Sequence, residues 1–308
     1  MRWRSQFAAG PGENRAGRVK VAADPPSSSR DRAGRSARPR LRRALAQHHL
    51  RDPRATRPLV EWLRCAGRTV VEIGPGGGAL TGELVAAGAA RVIAVELDAD
   101  WAFVFAARRR EQDRAAGTPA TSEVVPVVAD ALELDWSRLP APWLVAGNLP
   151  YNVGTVLLER LLAAAPAGVR AGFLLQKEVV DRMVATPGSD DYGALSVRVA
   201  ARARALRLGT LRPGAFVPPP KVDSAFVGLE LIAAPLDADG MATLDRVVAA
   251  AFGQRRKTLR NSLGSGLGIG AAGAAALLEA AGLDPGERAE RLTLADFVAL
   301  ARRLDAGA

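Results

Sequence analysis

Short runs of β-branched residues alternate with longer Ala- and Leu-rich stretches from about residue 44 onward, and this alternation narrows the possible folds most. Strands that alternate with helices form a parallel, doubly wound sheet with right-handed crossovers. Seven strands are predicted, at residues 69–73, 91–96, 124–129, 143–147, 171–176, 205–211 and 224–231. After about residue 234 the strand pattern stops, and 241–263 and 273–304 are predicted as helices broken by Gly and Pro. We therefore predict an α/β fold, a Rossmann-like sheet followed by a small all-helical C-terminal domain.

The net charge of +10 is concentrated in the first 43 residues. That segment holds 12 Lys and Arg against 3 Asp and Glu, a balance of +9, which leaves 30 basic and 29 acidic residues, or +1, for the rest of the chain. It has no apolar periodicity, so residues 1–43 are predicted to be a disordered, Arg-rich tail. Its acidic residues and Pro25-Pro26 argue against a targeting helix. The body of the protein is therefore nearly neutral.

Composition excludes several classes of protein. A single cysteine, Cys65, cannot form a disulfide within the chain, and with two histidines it is too few for a Cys/His structural zinc site. No segment reaches the roughly 18 uncharged apolar residues of a membrane span. We expect a cytoplasmic monomer without a metal and without a membrane attachment. Its two folded domains are predicted at 44–233 and 234–308.

Glycines and carboxylates follow the predicted strands, where a parallel sheet binds its ligands. Gly74-Pro75-Gly76 forms a turn without bulky side chains before a helix, so a ligand can approach the backbone. Glu96 ends the second strand, 22 residues after Gly74, where a carboxylate can accept hydrogen bonds from ribose hydroxyls. This pattern is typical of a nucleoside ligand, either a dinucleotide or S-adenosylmethionine. Pro75 lacks the N–H that a pyrophosphate would use, and Asp130 can accept a hydrogen bond from an adenine amine, so we favour S-adenosylmethionine.

Asn148-Leu149-Pro150-Tyr151 directly follows the fourth predicted strand. An exocyclic adenine amine is a poor nucleophile because its lone pair is delocalised into the ring, so it needs hydrogen-bond acceptors and not a strong base. The Asn148 side-chain oxygen and the carbonyl of Leu149 or Pro150 can accept the amine hydrogens, while Tyr151 offers a face on which an extruded base stacks. Tyr192 is the only other tyrosine in the chain. The segment therefore predicts methyl transfer to an adenine amine.

Nine ordered motifs resemble those of the KsgA-type ribosomal RNA adenine dimethyltransferases, over roughly residues 45–304. They are QHHL at 47–50, VEIGPG at 71–76, VELD at 95–98, DA at 130–131, GNLPYN at 147–152, LQKEVV at 175–180, YGALS at 192–196, FVPPPKVDSA at 216–225 and RRKTLRNSL at 255–263. The first five are shared with the 23S rRNA adenine methyltransferases that confer macrolide resistance. The later ones, above all 175–180 and 255–263, favour the small-subunit enzyme.

The resemblance implies a class I S-adenosylmethionine methyltransferase that dimethylates the N6 amines of two adjacent adenosines near the 3′ end of 16S rRNA, in a 30S subunit precursor. The catalytic segment is then Asn148, Leu149, Pro150 and Tyr151, and Phe216 is implied as a second aromatic wall against the target base. The implied cofactor contacts are His48, Leu50, Gly74, Gly76, Glu96, Asp130 and Asn148.

The chain departs from the family pattern in two places. Ala46 and His49 stand where the family usually has Gly and Phe, and Gly154 and Val156 stand where it has Ser and Pro. The first change affects the flap over the methionine end of the cofactor, and the second affects the loop behind the base pocket. Neither change removes a group that the chemistry requires.

Three of the four lysines lie in the motif segments, with four arginines nearby. Such clusters suit phosphate contacts, which position a folded RNA without reading its bases. The predicted RNA contacts are Lys177, Arg182, Lys221, Arg255, Arg256, Lys257 and Arg260. Two alternatives stay open, a 23S rRNA methyltransferase with the same chemistry and a catalytically silent ribosome-assembly factor. A nicotinamide dehydrogenase is disfavoured, because the fourth strand ends without a proton-transfer residue.

Overall fold

The computed structural model of the 308-residue chain describes residues 20–21, 48–102, 105, 122–136, 143–149, 154–254 and 256–307. The chain forms two units. The first consists of Met1–Lys177 and Arg207–Leu229, and the second of Glu178–Leu206 and Glu230–Ala308. The second unit thus includes a segment, Glu178–Leu206, from within the range 44–233 that the sequence assigns to the catalytic domain.

The described residues contain ten strands, numbered in chain order. They are β1 (Lys20–Val21), β2 (His49–Leu50), β3 (Thr69–Ile73), β4 (Arg91–Glu96), β5 (Glu123–Val128), β6 (Trp143–Asn148), β7 (Arg170–Gln176), β8 (Ala203–Leu211), β9 (Phe216–Val217) and β10 (Ser224–Leu231). Eight form one sheet in the order β1-β5-β4-β3-β6-β7-β10-β8, and β2 pairs with β9. The five strands β5-β4-β3-β6-β7 run parallel. All seven predicted strands are confirmed, each to within two residues at either end.

The described residues also contain nine α-helices. They are α1 (Arg57–Leu63), α2 (Ala79–Ala86), α3 (Gly154–Ala164), α4 (Lys177–Val184), α5 (Ala194–Ala200), α6 (Ala238–Phe252), α7 (Leu259–Gly266), α8 (Gly270–Ala280) and α9 (Leu294–Ala306). The last four confirm the predicted helical C-terminal region. None of the described helices is long and apolar enough to cross a membrane alone, and the one pair that reaches that composition jointly, α7 with α8, is bent by 117°.

Four of the parallel strands, β4, β3, β6 and β7, are buried along most of their length, which explains their mostly apolar sequences, whereas β5 is only partly buried. In β3, Val70, Val71 and Ile73 are all at most 5% exposed. Their registers place Ile73 opposite Val95 of β4 and Gly147 of β6. The ends of neighbouring strands are therefore level, and the residues that follow them start from one edge of the sheet.

The second unit has a hydrophobic core of its own. Val197, Leu244, Val247, Leu263 and Phe297 are fully buried in it. Each such side chain contributes about 1.5–3 kcal/mol relative to its exposed state. The last helix, α9, begins at a capping box in which the side chains of Thr293 and Asp296 each accept a hydrogen bond from the other residue's backbone N–H. Two N–H groups at the start of the helix are therefore hydrogen-bonded.

Lys20–Val21 forms a two-residue strand antiparallel to β5, with Lys20 opposite Val128. The structure therefore differs from the prediction of disorder at these two residues. The physical reason is that β5 would otherwise be the edge of the sheet, where unpaired backbone groups favour the addition of a strand. The rest of the predicted tail lies outside the described residues.

Candidate active site

Four of the predicted cofactor-binding residues lie at the carboxyl ends of neighbouring parallel strands. Gly74 follows β3, Glu96 ends β4, Asp130 follows β5 and Asn148 ends β6. In the strand order β5-β4-β3-β6, the chain order reverses at β3. Open α/β sheets bind ligands at this kind of reversal, so the sheet brings these four residues to the expected place.

The turn after β3 has a backbone conformation that favours glycine. Gly74 and Gly76 have φ angles of 68° and 48°, in the left-handed region that costs other residues energy. A Cβ on Gly76 would lie 2.8 Å from Cε1 and 3.0 Å from Nδ1 of His49. The imidazole of His49 therefore covers the turn, and it also stacks on Trp101 with ring centroids 4.9 Å apart.

Glu96 is a buried carboxyl held by backbone N–H groups. Its side chain is 5% exposed, and Oε1 accepts a hydrogen bond from the Asp98 N–H at 3.1 Å. Burial raises the pKa of Glu96, the backbone N–H groups of Asp98 and Gly76 oppose that rise, and the negative charge of Asp98 adds to it. The Gly76 amide thus connects this carboxyl to the glycine turn.

Glu72 is a second buried carboxyl, two residues before the glycine turn. It is 1% exposed, and its Oε2 accepts a hydrogen bond from Thr81 Oγ1 at 2.6 Å. Burial raises the pKa of Glu72 to about 7, the Thr81 hydrogen bonds oppose that rise, and the charge of Glu96 adds a smaller increase. Glu72 lies in the VEIGPG motif at 71–76, yet no role was predicted for it. The sequence signal that could have identified Glu72 is an acidic residue inside an otherwise apolar strand.

Asp130 serves the local backbone as well as the predicted cofactor contact. Its Oδ1 accepts a hydrogen bond from the Leu132 N–H at 2.9 Å and so caps the short 3-10 helix Ala131–Glu133. A carboxylate has several acceptor sites. Capping therefore leaves Asp130 able to accept a further hydrogen bond through Oδ2.

Asn148 is oriented by the N-terminal motif. Its Nδ2 donates a hydrogen bond to the His48 carbonyl at 2.9 Å, and Nδ1 of the His48 ring lies 2.8 Å from the Pro218 carbonyl. The first bond turns the amide so that its oxygen, an acceptor, is on the other side. The structure therefore joins three motifs that are far apart in the sequence.

A two-stranded ribbon completes this junction. In the β2–β9 pair, His49 lies opposite Val217 and Leu50 opposite Phe216. Arg51 extends the pair, since its N–H donates to the Ala215 carbonyl at 2.9 Å and its Nε to the Phe216 carbonyl at 3.2 Å. Sequence reasoning missed the ribbon and Arg51, because strands of two residues leave no periodic signal.

The predicted base-binding residues are less completely described. Leu149 is 2% exposed and donates its N–H to the Leu174 carbonyl at 3.2 Å. Pro150 and Tyr151 lie outside the described residues. Phe216 is 1% exposed and belongs to the hydrophobic core of the first unit, so in this conformation its ring presents no face to a base. The role of Phe216 as an aromatic wall stays a prediction.

The predicted RNA contacts are divided between the two units. Lys177 and Lys221 belong to the first unit, whereas Arg182, Arg256, Lys257 and Arg260 belong to the second. All except the half-buried Lys177 are exposed. Arg182 forms an ion pair with Glu178 one helical turn earlier, which offsets part of its charge. Arg255 lies outside the described residues.

Fold and site together define a class of protein, the Rossmann-like methyltransferases. The model of the ribosomal RNA adenine dimethylase family matches residues 38–306. The chain therefore belongs to the ribosomal RNA adenine dimethylase family, and the family resemblance noted in the sequence is confirmed.

Curated relatives agree with this assignment. Ribosomal RNA small subunit methyltransferase A of Aromatoleum aromaticum is 45% identical over 263 residues, which cover 85% of this chain and 93% of the relative. The protein of the same name from Rhodospirillum rubrum is 46% identical over 270 residues, covering 86% and 88%. The chain is thus an enzyme, an rRNA adenine dimethyltransferase.

Solved structures share the fold. A dimethyladenosine transferase from Plasmodium falciparum superposes with a TM-score of 0.69 at 23% identity, covering 84% of this chain and 98% of that one. The 23S rRNA methyltransferase ErmE superposes with a TM-score of 0.59 at 26% identity, covering 83% and 99%. These superpositions confirm the predicted fold class.

Proposed function

We propose that the protein uses S-adenosylmethionine to dimethylate the N6 amines of two adjacent adenosines near the 3′ end of 16S rRNA, acting on a 30S subunit precursor. The hydrogen bond from Asn148 Nδ2 to the His48 carbonyl is the observation that carries the chemistry, because it orients an acceptor at the end of β6. The choice of the small subunit is supported by relatives at 45% and 46% identity that are named for it, whereas the 23S enzyme is 26% identical.

The residues at the sheet edge fit a nucleoside cofactor. The carboxylate of Glu96 can accept hydrogen bonds from both ribose hydroxyls, and Asp130 Oδ2 can accept one from the adenine amine. A Cβ on Gly74 would meet only the Asn148 carbonyl oxygen, at 3.9 Å, so the cofactor can approach the backbone of the glycine turn there. When bound, S-adenosylmethionine supplies an electrophilic methyl group on a sulfonium sulfur.

Asn148 acts on the amine that receives the methyl group. Its Oδ1 accepts one N6 hydrogen, and the carbonyl of Leu149 or Pro150 accepts the other. These acceptors favour a pyramidal nitrogen with a localised lone pair and stabilise the positive charge that develops on it. Most of the acceleration then comes from this stabilisation and from holding the reacting atoms in line. In each transfer the N6–methyl bond forms as the sulfonium–methyl bond breaks, leaving a neutral thioether, and the cationic N6 then releases one proton to solvent. After the first transfer N6 keeps one hydrogen, so the second transfer uses one acceptor fewer.

Replacement of Asn148 by Ala tests this mechanism. Loss of one preorganised polar group at a reacting centre lowers turnover by about 100-fold or more, while binding of S-adenosylmethionine weakens but stays measurable by calorimetry. Turnover is measured with labelled cofactor on 30S particles that lack the modification. A variant that keeps near-normal turnover would remove Asn148 from the mechanism.

Mapping of the labelled nucleotides separates the remaining alternatives. Primer extension on 16S and 23S rRNA is expected to show stops at two adjacent adenosines of 16S rRNA only. Stops in 23S rRNA instead would reassign the substrate. A wild-type protein that binds 30S particles but shows no heat of S-adenosylmethionine binding would be an assembly factor.

A further inference from the structure

A cleft in the second unit has no part in the proposed methyl-transfer site. It lies between α6 and α7, has a volume of about 460 Å³, and is lined by polar side chains from Arg246, Gln254, Ser262 and Ser265. We call it the helical cleft. Sites for small ligands have volumes of about 300–1,000 Å³, so the helical cleft is large enough for one nucleotide.

The helical cleft is built on a close contact between its two helices. A Cβ on Gly266 of α7 would lie 2.5 Å from Cβ and 2.7 Å from Cα of Ala250 on α6. Both residues line the cleft, and Ala250 is buried. Because the backbones meet here without intervening side chains, the two walls are fixed relative to each other.

The lining combines one cation and three polar side chains with small or apolar residues, Ala249, Ala250, Gly253, Gly266 and Leu267. Among the described residues that line the helical cleft, Arg246 is the charged one and none is acidic. The carboxylate next to it in the sequence, Asp245, is ion-paired with Arg198 at 3.4 Å and Arg202 at 3.2 Å. Gln254 and Ser265 add an exposed amide and hydroxyl. This combination is complementary to an anion that also carries hydrogen-bonding groups.

Both walls continue into further exposed cations. Arg256 and Lys257 come two and three residues after Gln254, and Arg260 comes two residues before Ser262. Several exposed cations close in sequence to the cleft residues suit a chain of phosphates better than an isolated anion. The acidic residues Glu279 and Glu287 lie in the same unit but do not line the cleft.

We propose that the helical cleft binds one unpaired nucleotide of the RNA substrate, with the Arg246 guanidinium on its phosphate and Gln254 and Ser265 bonded to its sugar or base. This inference rests on the proposed function for the choice of RNA. Single-stranded nucleotides are the part of an RNA whose bases can enter a protein pocket. The flanking cations hold the neighbouring phosphates.

Two substitutions in the full-length protein probe the cleft. Ala249→Phe fills it from an exposed position on α6, and Arg246→Ala removes the charge. Ala242→Phe places the same bulk at another exposed position of α6, and Arg302→Ala removes an exposed arginine of α9. Circular dichroism melting checks that each variant folds, and Arg246→Ala keeps the test decisive if Ala249→Phe does not.

The readout is photocrosslinking to a short 4-thiouridine-labelled single-stranded RNA, followed by peptide mapping. Both cleft variants should lower the crosslink yield in α6 and α7 peptides about tenfold, as expected for the loss of one nucleotide contact, while both controls stay within about twofold of wild type. Equal losses in the control variants, or unchanged yields in the cleft variants, would overturn the proposal.

Two further crosslinking experiments test whether the bound nucleotide belongs to a single-stranded RNA or is a free nucleotide. A hairpin RNA of the same length should crosslink in α6 and α7 much less than the single strand. Competition by free AMP at the same nucleotide concentration would overturn the assignment to an RNA strand. Because crosslinking requires neither S-adenosylmethionine nor methyl transfer, the cleft can fail this test while the proposed methyltransferase activity stands.

Discussion

Glu72 shows how a single buried residue can link the stability of this enzyme to pH. Its carboxyl is hydrogen-bonded to Thr81 and is almost completely buried. The ordinary pKa is 4.5, and burial raises it to about 7 in the folded protein. Between these values the folded state binds more protons than the unfolded state, so the free energy of unfolding falls as pH rises.

Glu72→Gln is expected to abolish that fall. Since one pKa unit corresponds to about 1.4 kcal/mol, the variant should match the wild type at about pH 4 and exceed its free energy of unfolding by about 3 kcal/mol at about pH 8. Urea unfolding across this range measures the difference. Thr81→Val serves as a counter-variant, since loss of the hydroxyl donor raises the pKa of Glu72 further and extends the fall to higher pH. If the free energies of unfolding of wild type and Glu72→Gln differed by the same amount at every pH, the proposed role of Glu72 would be wrong.

Gly76 and Gly67 form a matched pair for testing the glycine turn. Both have positive φ angles, 48° and 68°, but a Cβ on Gly67 meets nothing within 4 Å, whereas one on Gly76 meets His49. Gly67→Ala should cost about 1–2 kcal/mol from backbone strain alone. Gly76→Ala should cost more and also weaken S-adenosylmethionine binding, because it displaces the His49 ring. Thermal melts and calorimetry measure the two effects, and equal behaviour of the variants would show that the His49 contact is unimportant.

Some site residues could be read from the sequence and others could not. Glu96 and Asn148 were found because each ends a strand with a polar group, and parallel strands bring their carboxyl ends together. The burial of Phe216 was not predicted. A phenylalanine before a run of prolines is compatible both with a position in the hydrophobic core and with an exposed ring that stacks on a base. Arg51 was missed because its hydrogen bonds go to backbone carbonyls 164 and 165 residues away.

At the level of elements, the β2–β9 ribbon connects the N-terminal motif to the triple-proline motif. The long strands were predictable because each has five or more residues, enough for a run of apolar or alternating residues to be recognised in the sequence. The ribbon was not, since two-residue strands form only when tertiary structure brings them together. Its stability therefore depends on contacts such as those made by Arg51.

Arg51→Ala is expected to loosen the ribbon. The variant should lower the free energy of unfolding by about 1 kcal/mol, the typical net value of a hydrogen bond, and should weaken S-adenosylmethionine binding several-fold through the orientation of His48 and Asn148. Arg54→Ala is the control, because Arg54 is exposed and bonds Asp52 within the same turn. Denaturant unfolding and calorimetry compare the two. Identical cofactor affinities in both variants would mean that the ribbon does not shape the site.

For the whole molecule, the distribution of charge separates two kinds of RNA binding. Nine of the ten net positive charges lie in residues 1–43, outside the motifs. The few lysines of the nearly neutral body, Lys177, Lys221 and Lys257, lie within its motifs. We therefore expect specific binding to depend on a few well-placed cations of the body, and the N-terminal segment to attract any polyanion.

Deletion of residues 1–38 should separate these contributions. Affinity for an unrelated RNA should fall steeply, and its dependence on salt should become weaker, because fewer phosphates are neutralised. The rate of 16S methylation at the correct adenosines should change much less. Filter binding over a salt series and mapped methylation are the measurements. If both quantities fell equally, the N-terminal segment would belong to the specific recognition surface.

The span of the β2–β9 ribbon also has a consequence for synthesis of the protein. The His48 ring contacts the carbonyl of Pro218, 170 residues further along the chain. The segment between these two residues contains most of the first unit. Contacts between residues so far apart form late in folding. While the chain emerges from the ribosome, the sheet can start to assemble, but the His48 ring cannot meet the Pro218 carbonyl until residue 218 has left the exit tunnel. The nascent chain therefore makes this contact only after all five parallel strands have been synthesised.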